Sequence, residues 1–174
     1  SRGDTDLPLL KAEGVGCCAK HFPGKTLVIS DPHKGVVAAE IADEDLFPYE
    51  QLKGSVKGIM VSHLIVSGAI NSQGNPSVAS AEVLTRAREG FSGLLISDEI
   101  NMLGLKNYYA TPEEMYVAVF KAGNDLILNF NEDPQEIYHM IQVVKKAVEE
   151  GEIKEEQIDD AVRRILEVKG LVVE

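Results

Sequence analysis

Two short segments of the chain carry side chains suited to acid, base or nucleophilic chemistry. Asp98 follows the apolar run in GLLISDEINM, where a carboxylate at a strand end could attack an electrophilic carbon or stabilise positive charge on it. Asp31 and His33 lie two residues apart in SDPHKG, so that the carboxylate could orient the imidazole for proton transfer. The competing interpretations are that Asp98 caps the next helix and that Asp31 and His33 lie in an ordinary surface loop.

Further polar side chains stand close to apolar runs. Lys20 and His21 precede a turn in AKHFPG, which suits them to face a cleft. His63 ends the run GIMVSH and either contacts a ligand or is a hydrogen-bonded histidine of the interior. Met102 is either a packing residue or an apolar wall beside a ligand. Glu99 either points away from its neighbour or binds an adjacent loop.

The elements that must position these residues follow from hydrophobic periodicity. Four short apolar runs indicate parallel strands buried on both faces: GVGCCA, GIMVS, GLLIS and NDLILN. Apolar residues at helical spacing predict a crossover helix over 77–89 that ends at Gly90, and another helix that begins at Pro112. Two amphipathic helices separated by Gly151 close the chain, with His139 expected on the solvated surface of the first.

The order of strands and helices predicts an α/β fold built of right-handed βα units. Polar residues follow directly after each apolar run, and their convergence at the carboxyl ends of strands favours a closed barrel over an open sheet. A complete (βα)₈ TIM-type barrel needs about 250 residues and eight strands. The four visible units therefore predict half a barrel with additional C-terminal helices. Because no linker or low-complexity segment interrupts the sequence, we expect residues 1–174 to form one domain with no internal boundary.

Composition limits the classes of partner. The formal net charge of -11 and the pI of about 4.8 disfavour binding to nucleic acid or anionic membranes. No apolar stretch approaches the roughly 20 residues that span a bilayer, and the first residues lack the pattern of a signal peptide. Cys17 and Cys18 are expected to be buried free thiols, since a disulfide between adjacent cysteines is strained. Cysteine usage favours a cytoplasmic location.

Several cofactor classes have no motif in the sequence. There is no HExxH, paired CxxC or EF-hand loop, so we expect no metal site. The segment KHFPGKT lacks the GxxxxGK[ST] spacing of a phosphate-binding loop. We therefore expect no cofactor.

Taken together, the motifs resemble glycoside hydrolase family 3, in particular its bacterial β-N-acetylhexosaminidase branch. The segments that match in order and spacing are AKHFPG, SDPHKG, LFPYEQL, GIMVSH, REGFSGLLISDEINM and KAGNDLIL, and they cover the chain from about Gly14 to its end. The resemblance implies that Asp98 is the nucleophile that forms a covalent glycosyl-enzyme and that His33, supported by Asp31, is the general acid/base. It also implies that Lys20 and His21 bind sugar hydroxyls.

The same resemblance implies a substrate and a place in a larger domain. The expected reaction is removal of β-linked N-acetylglucosamine from short glycans such as peptidoglycan fragments, with phosphate in place of water as an alternative acceptor. Two positions depart from the family pattern, with Lys25 where a second histidine is usual and Pro32 where serine is common. The family's first four strands are absent, so the chain is expected to be the C-terminal half of the barrel and to need the N-terminal half in cis or trans. The alternatives are a non-catalytic half-barrel and an open-sheet binding protein for small molecules.

Overall fold

The computed structural model describes residues 8–10, 12–24 and 37–171 of the chain. Five short β-strands are assigned within this described part, and all of their pairings are parallel. In chain order they are β1 (Cys18–Phe22), β2 (Ala38–Ile41), β3 (Gly58–Val61), β4 (Ile65–Gly68) and β5 (Leu94–Ser97). They lie in two sheets, one with the order β1-β3-β5 and one formed by β2 and β4.

The three-stranded sheet carries the functional residues. Its strands β3 and β5 coincide with the predicted apolar runs GIMVS and GLLIS, whose alternate residues are buried. The fourth run, NDLILN, continues the sheet beyond β5, but only one parallel bridge, between Ile96 and Leu126, is formed there. The prediction of a fourth parallel unit is therefore correct in position, although the segment is too irregular to be assigned as a strand.

The first strand lies further along the chain than its apolar run predicts. Pairing of β1 with β3 begins at Cys18 and continues through the polar residues Lys20 and His21 to Phe22. These two polar residues are therefore part of the strand and do not follow it. The hydrogen bond from the Ser62 backbone N–H to the Phe22 carbonyl extends the pairing to this point, at 2.9 Å.

A β-bulge interrupts the pairing of β1. Ala19 pairs with Ile59 and Phe22 pairs with Val61, so three steps along β1 correspond to two steps along β3. One extra residue in a strand bends it locally and changes the direction of the side chains beyond it. The bulge therefore falls on the two polar residues, Lys20 and His21, that the sequence assigns to a binding site.

The small sheet of β2 and β4 is not expected from the sequence. Its four residue pairs run from Ala38 with Ile65 to Ile41 with Gly68. Each strand has only four residues, and exposed polar side chains interrupt the apolar pattern. Because β4 begins soon after β3 ends, this sheet lies at the carboxyl end of β3.

The helices agree with the sequence prediction except for the first, which the sequence did not indicate. They are α1 (Asp43–Leu52), α2 (Ala81–Arg88), α3 (Leu103–Lys106), α4 (Pro112–Lys121), α5 (Pro134–Glu149) and α6 (Glu155–Val168). A 3₁₀ turn at Ser77–Ala79 precedes α2, so the predicted crossover helix is divided. Ser80, Thr111 and Asp133 cap α2, α4 and α5, because the side chain of each accepts a backbone N–H of the first turn.

The sheets and helices enclose one cluster of buried apolar residues that includes Ile59, Val61 and Leu95. Cys17 packs partly buried against this cluster, but Cys18 is exposed, so the prediction of two buried thiols is wrong for Cys18. The alternation of β1 explains this result, because the side chain of its first residue faces away from the core. Within the described residues, no helix combines the length and the apolar character that crossing a membrane requires.

Candidate functional site

Asp98 lies at the carboxyl end of β5, as the sequence predicts. Its backbone N–H donates to the Val61 carbonyl at 3.0 Å, so the ladder with β3 extends through this residue. Its Oδ1 accepts the Glu99 backbone N–H at 2.9 Å, and its Oδ2 lies 3.7 Å from His21 Nε2. The side chain of Asp98 is 22% exposed. The carboxylate is thus fixed at one oxygen and accessible to a small molecule.

His21 approaches Asp98 across an intervening strand. Neighbouring strands are about 4.8 Å apart, so β1 and β5, which flank β3, are separated by about twice that distance. The two side chains meet because both lie at the carboxyl edge of the sheet and extend towards each other over β3. This edge therefore brings together one predicted nucleophile and one predicted binding residue.

Lys20 has a different environment from His21. Its side chain is exposed, and the residue lines a cavity of about 410 Å³ between β1 and α1, together with Asp45 and Tyr49. Burial raises the pKa of Tyr49 to about 12, and the negative charge of Asp45 acts in the same direction. In this conformation Lys20 thus borders the cavity beside α1, and its role in sugar binding stays a prediction.

His63 is buried below the site, with 6% of the residue exposed. Its Nε2 lies 2.8 Å from the Glu99 backbone carbonyl. A carbonyl only accepts hydrogen bonds, so Nε2 carries the proton, and Nδ1 of the neutral ring is an acceptor. Burial lowers the pKa of His63, against the opposing effects of the Glu99 carbonyl and the Asp98 charge. Among the described residues, Nδ1 has no hydrogen-bond partner.

The side chain of Glu99 joins the loop after β5 to the next loop of the sheet. Its Oε1 accepts the backbone N–H and the side-chain amide of Asn101, both at 2.8 Å, and the backbone N–H of Phe130 at 3.2 Å. The Asn101 amide also donates to Asn129 Oδ1 at 2.7 Å. Of the two interpretations of Glu99 from the sequence, contact with an adjacent loop is confirmed.

Asn101 and Phe130 are functional candidates that the sequence did not identify. Neither belongs to a recognisable motif, and their contacts with Glu99 join positions that are distant in the chain. The strand-end position of Asn129 was the available signal, since strand-end polar residues of a parallel sheet converge. Met102, a predicted binding residue, is partly exposed at the start of α3.

The structure leaves the predicted acid/base pair untested. Asp31 and His33 lie outside the described residues, and so do the two departures from the family pattern, Lys25 and Pro32. The described chain reaches Gly24 after β1 and resumes just before β2.

His139, which carries no functional prediction, lies on α5 with nearly half of its side chain exposed. Its Nε2 is 2.7 Å from Glu113 Oε1. The prediction of a surface position is confirmed, and the contact with Glu113 joins α5 to α4.

A second, larger cavity of about 530 Å³ lies on α2 and α6, away from Asp98. Its inner wall holds Asp125, whose side chain is 1% exposed and lies between Arg88 and Arg164. Asp125 also accepts the Leu95 backbone N–H at 2.7 Å. Because both of its oxygens are engaged by the protein, we assign Asp125 to structure and not to the site.

Comparison with known proteins identifies the family. The model of the glycosyl hydrolase family 3 N terminal domain matches residues 7–168. Beta-hexosaminidase A of Pseudoalteromonas piscicida is 27% identical over 96% of this chain, and a beta-hexosaminidase of Psychromonas ingrahamii is 34% identical over 71% of it. The structure of a glycoside hydrolase family 3 beta-N-acetylglucosaminidase from Paenibacillus sp. str. FPU-7 superimposes with a TM-score of 0.82 over 94% of this chain, at 26% identity.

The match covers only part of each of these proteins. The chain spans 32% of the Pseudoalteromonas enzyme, 38% of the Psychromonas enzyme and 32% of the Paenibacillus chain. The family model nevertheless matches almost all of the chain, and the matched region contains every described residue of the site. From the fold, the strand-end position of Asp98 and this match, the chain belongs to glycosyl hydrolase family 3, within its N-terminal domain.

Proposed function

We propose that this chain supplies the nucleophile of a retaining β-N-acetylglucosaminidase that acts on short glycans such as peptidoglycan fragments. The observation that carries the proposal is the partly exposed carboxylate of Asp98, fixed by a backbone N–H at the carboxyl edge of the sheet and next to His21. The names of the family 3 relatives, beta-hexosaminidase and beta-N-acetylglucosaminidase, support the choice of sugar.

The proposed reaction has two displacement steps at the anomeric carbon. In the first, Asp98 Oδ2 forms a bond to this carbon as the bond to the leaving oxygen breaks, and protonated His33 gives its proton to that oxygen. In the second, His33 accepts a proton from water, and the water oxygen bonds to the carbon as the ester to Asp98 breaks. Two inversions give net retention, and Asp31 supports the imidazole throughout.

Chain length is compatible with this role for His33. Gly24 lies three residues after His21, which contacts Asp98, and His33 follows Gly24 by nine residues. Nine residues span at most about 30 Å. His33 is therefore within reach of Asp98 along the chain, without any movement of β1 or β5.

We further propose that His21, His63 and Met102, with Lys20 after a side-chain rearrangement, bind the sugar. His21 adjoins the carboxylate, His63 has an acceptor nitrogen at the base of the site, and Met102 follows the same loop. Lys20 is exposed and has a long, flexible side chain, so that rotation about its side-chain bonds would be enough to redirect its ammonium group.

The described units are proposed to form the C-terminal half of a (βα)₈ barrel. The parallel order β1-β3-β5, continued by the bridge to Leu126, supports this arrangement, as does the coverage of about a third of each relative. The complementary half is required in cis or in trans to complete the pocket. Turnover by the 174-residue chain alone at the rate of the full-length protein would contradict this requirement.

The test of the nucleophile is Asp98→Ala in the full-length protein, assayed with 4-nitrophenyl N-acetyl-β-glucosaminide. We expect turnover to fall by a factor of about 10⁴ or more, because covalent catalysis is lost. Added azide should restore part of the turnover and yield a glycosyl azide of inverted configuration, since a small anion can occupy the space of the missing carboxylate. Turnover near that of the wild type would exclude Asp98 as nucleophile.

The matched control is Asp159→Ala, which removes an exposed carboxylate of α6. We expect its turnover to equal that of the wild type, because Asp159 is far along the chain from every site residue. In the same assay, His33→Ala should lose turnover most strongly with substrates that have a poor leaving group. Equal losses for good and poor leaving groups would contradict a role for His33 as general acid.

A further inference from the structure

Glu99 is held at three points, and each contact joins it to a different part of the sheet edge. Its backbone N–H donates to Asp98 Oδ1 at 2.9 Å, and its backbone carbonyl accepts from His63 Nε2 at 2.8 Å. Its Oε1 accepts three N–H groups, two from Asn101 and one from Phe130. We refer to these hydrogen bonds of the Glu99 side chain as the Glu99 clamp.

The Glu99 clamp determines the orientation of the neighbouring Asp98. The N–H that holds Asp98 Oδ1 belongs to the peptide that links the two residues, and this peptide has few ways to turn while residue 99 is fixed on both sides. With Oδ1 held, Oδ2 lies towards His21 and the opening of the site. Loss of the clamp would free the loop that the Phe130 contact joins to the adjacent strand end.

We propose that Glu99 is a positioning residue for the nucleophile, which acts by fixing the loop after β5 and not by contact with substrate. This inference rests on the proposed function of Asp98. Carboxylate oxygens that accept several N–H groups form strong hydrogen bonds, so that Glu99 is suited to hold the loop. All three acceptor contacts of its side chain are on one oxygen, as expected for a residue that faces the protein.

The experiment compares Glu99→Ala and Glu99→Gln in the full-length protein, with kcat and KM measured on 4-nitrophenyl N-acetyl-β-glucosaminide. A misplacement of about 1 Å in a reacting group can cost about 100-fold in rate, so we expect Glu99→Ala to lower kcat by about that factor. KM should change by less than about threefold, because the sugar contacts remain. Glu99→Gln keeps the accepting oxygen and should retain turnover within about fivefold of the wild type.

A second variant, Asn101→Ala, tests the same clamp from its other side and leaves the carboxylate in place. It removes one of the three donors to Oε1, so we expect a smaller fall in kcat, by about tenfold. The double variant Glu99→Ala/Asn101→Ala should be no worse than Glu99→Ala alone, because both changes remove the same clamp. The control is Glu152→Ala, an exposed glutamate between α5 and α6 that should have wild-type kinetics.

Three outcomes would overturn the inference. Wild-type kcat in Glu99→Ala would show that the loop holds Asp98 without the clamp. A loss in Glu99→Gln as large as that in Glu99→Ala would show that the charge of Glu99 takes part in the reaction. A rise in KM with unchanged kcat would indicate contact with substrate. If Asp98→Ala is inactive while Glu99→Ala is fully active, this inference fails and the proposed function stands; an active Asp98→Ala contradicts the proposed function itself.

Discussion

At the scale of single residues, His63 connects the site to the interior of the protein. It is buried, its Nε2 donates to the Glu99 carbonyl, and burial lowers its pKa from the ordinary value of 6.5. The sequence predicts its position at the end of β3 but leaves open whether it binds a ligand or is satisfied inside the protein. The structure shows one nitrogen satisfied and one open, a result that depends on the position of a carbonyl 36 residues away in the chain.

The lowered pKa of His63 makes the folding stability dependent on pH. Between the folded pKa and 6.5, the unfolded chain binds more protons at this residue than the folded protein does. The contribution of His63 is therefore fully favourable above about pH 6.5, and it is lost as the pH falls towards the folded pKa. Replacement by glutamine, which has no such titration, should reduce the loss of stability on acidification.

This prediction is checked by urea unfolding of the wild type and His63→Gln at several values between about pH 5 and pH 8. We expect the wild type to lose more free energy of unfolding than His63→Gln does over this interval. His139→Gln is the control, since that histidine is exposed, and it should follow the wild type. Parallel pH profiles for the wild type and His63→Gln would contradict a buried, neutral His63.

At the scale of elements, the strands were predictable where their apolar runs were long enough. The runs of β3 and β5 were correctly placed because both faces of these strands are buried. The polar residues at the end of β1 obscured its true extent. The sheet of β2 and β4 was missed because two strands of four residues, each with exposed positions, give no clear period. Only their pairing with each other stabilises them as strands.

That pairing depends on Gly68, the last residue of β4. Its φ is +93°, and a Cβ at this position would lie 2.4 Å from the Ile41 carbonyl oxygen. Gly68→Ala therefore introduces both backbone strain and a clash with β2. Gly74→Ala is a matched control, because its φ of +81° is also positive but no atom lies within 4 Å of an added Cβ.

We expect Gly74→Ala to lower the free energy of unfolding by about 1 kcal/mol, through strain alone. Gly68→Ala should cost clearly more, about 2 to 4 kcal/mol, because the clash adds to the strain. Thermal and urea unfolding of the two variants provide the comparison. Equal losses would mean that β2 and β4 separate without cost.

At the scale of the whole molecule, the site and the structural support lie in different places. The Glu99 clamp and His21 lie at the carboxyl edge of the sheet, whereas Asp125 lies beside α2 and α6. Asp125 receives Arg88 from α2 and Arg164 from α6, so one carboxylate connects two helices to the sheet. The sequence predicted both helices from their periodicity, but nothing in it indicates that their arginines share one buried acid.

Removal of the shared acid should be costly. In Asp125→Ala, two arginines that are about three-quarters buried lose their counter-charge, and the Leu95 N–H loses its acceptor. We expect a loss of about 3 kcal/mol in the free energy of unfolding. Glu149→Gln, which removes an exposed partner of Lys145, should cost less than about 1 kcal/mol. Similar losses for both variants in urea unfolding would contradict a structural role for Asp125.

The bulge of β1 gives the aim of His21 an unusual dependence on the number of residues in the chain. Insertions and deletions are usually tolerated in loops and excluded from strands, because a shift by one residue reverses the face of each side chain. Here one additional residue in a strand is part of the functional geometry. Homologues with identical residue types but one fewer position between Ala19 and Phe22 would therefore present the imidazole differently, and residue identity alone would not reveal that divergence.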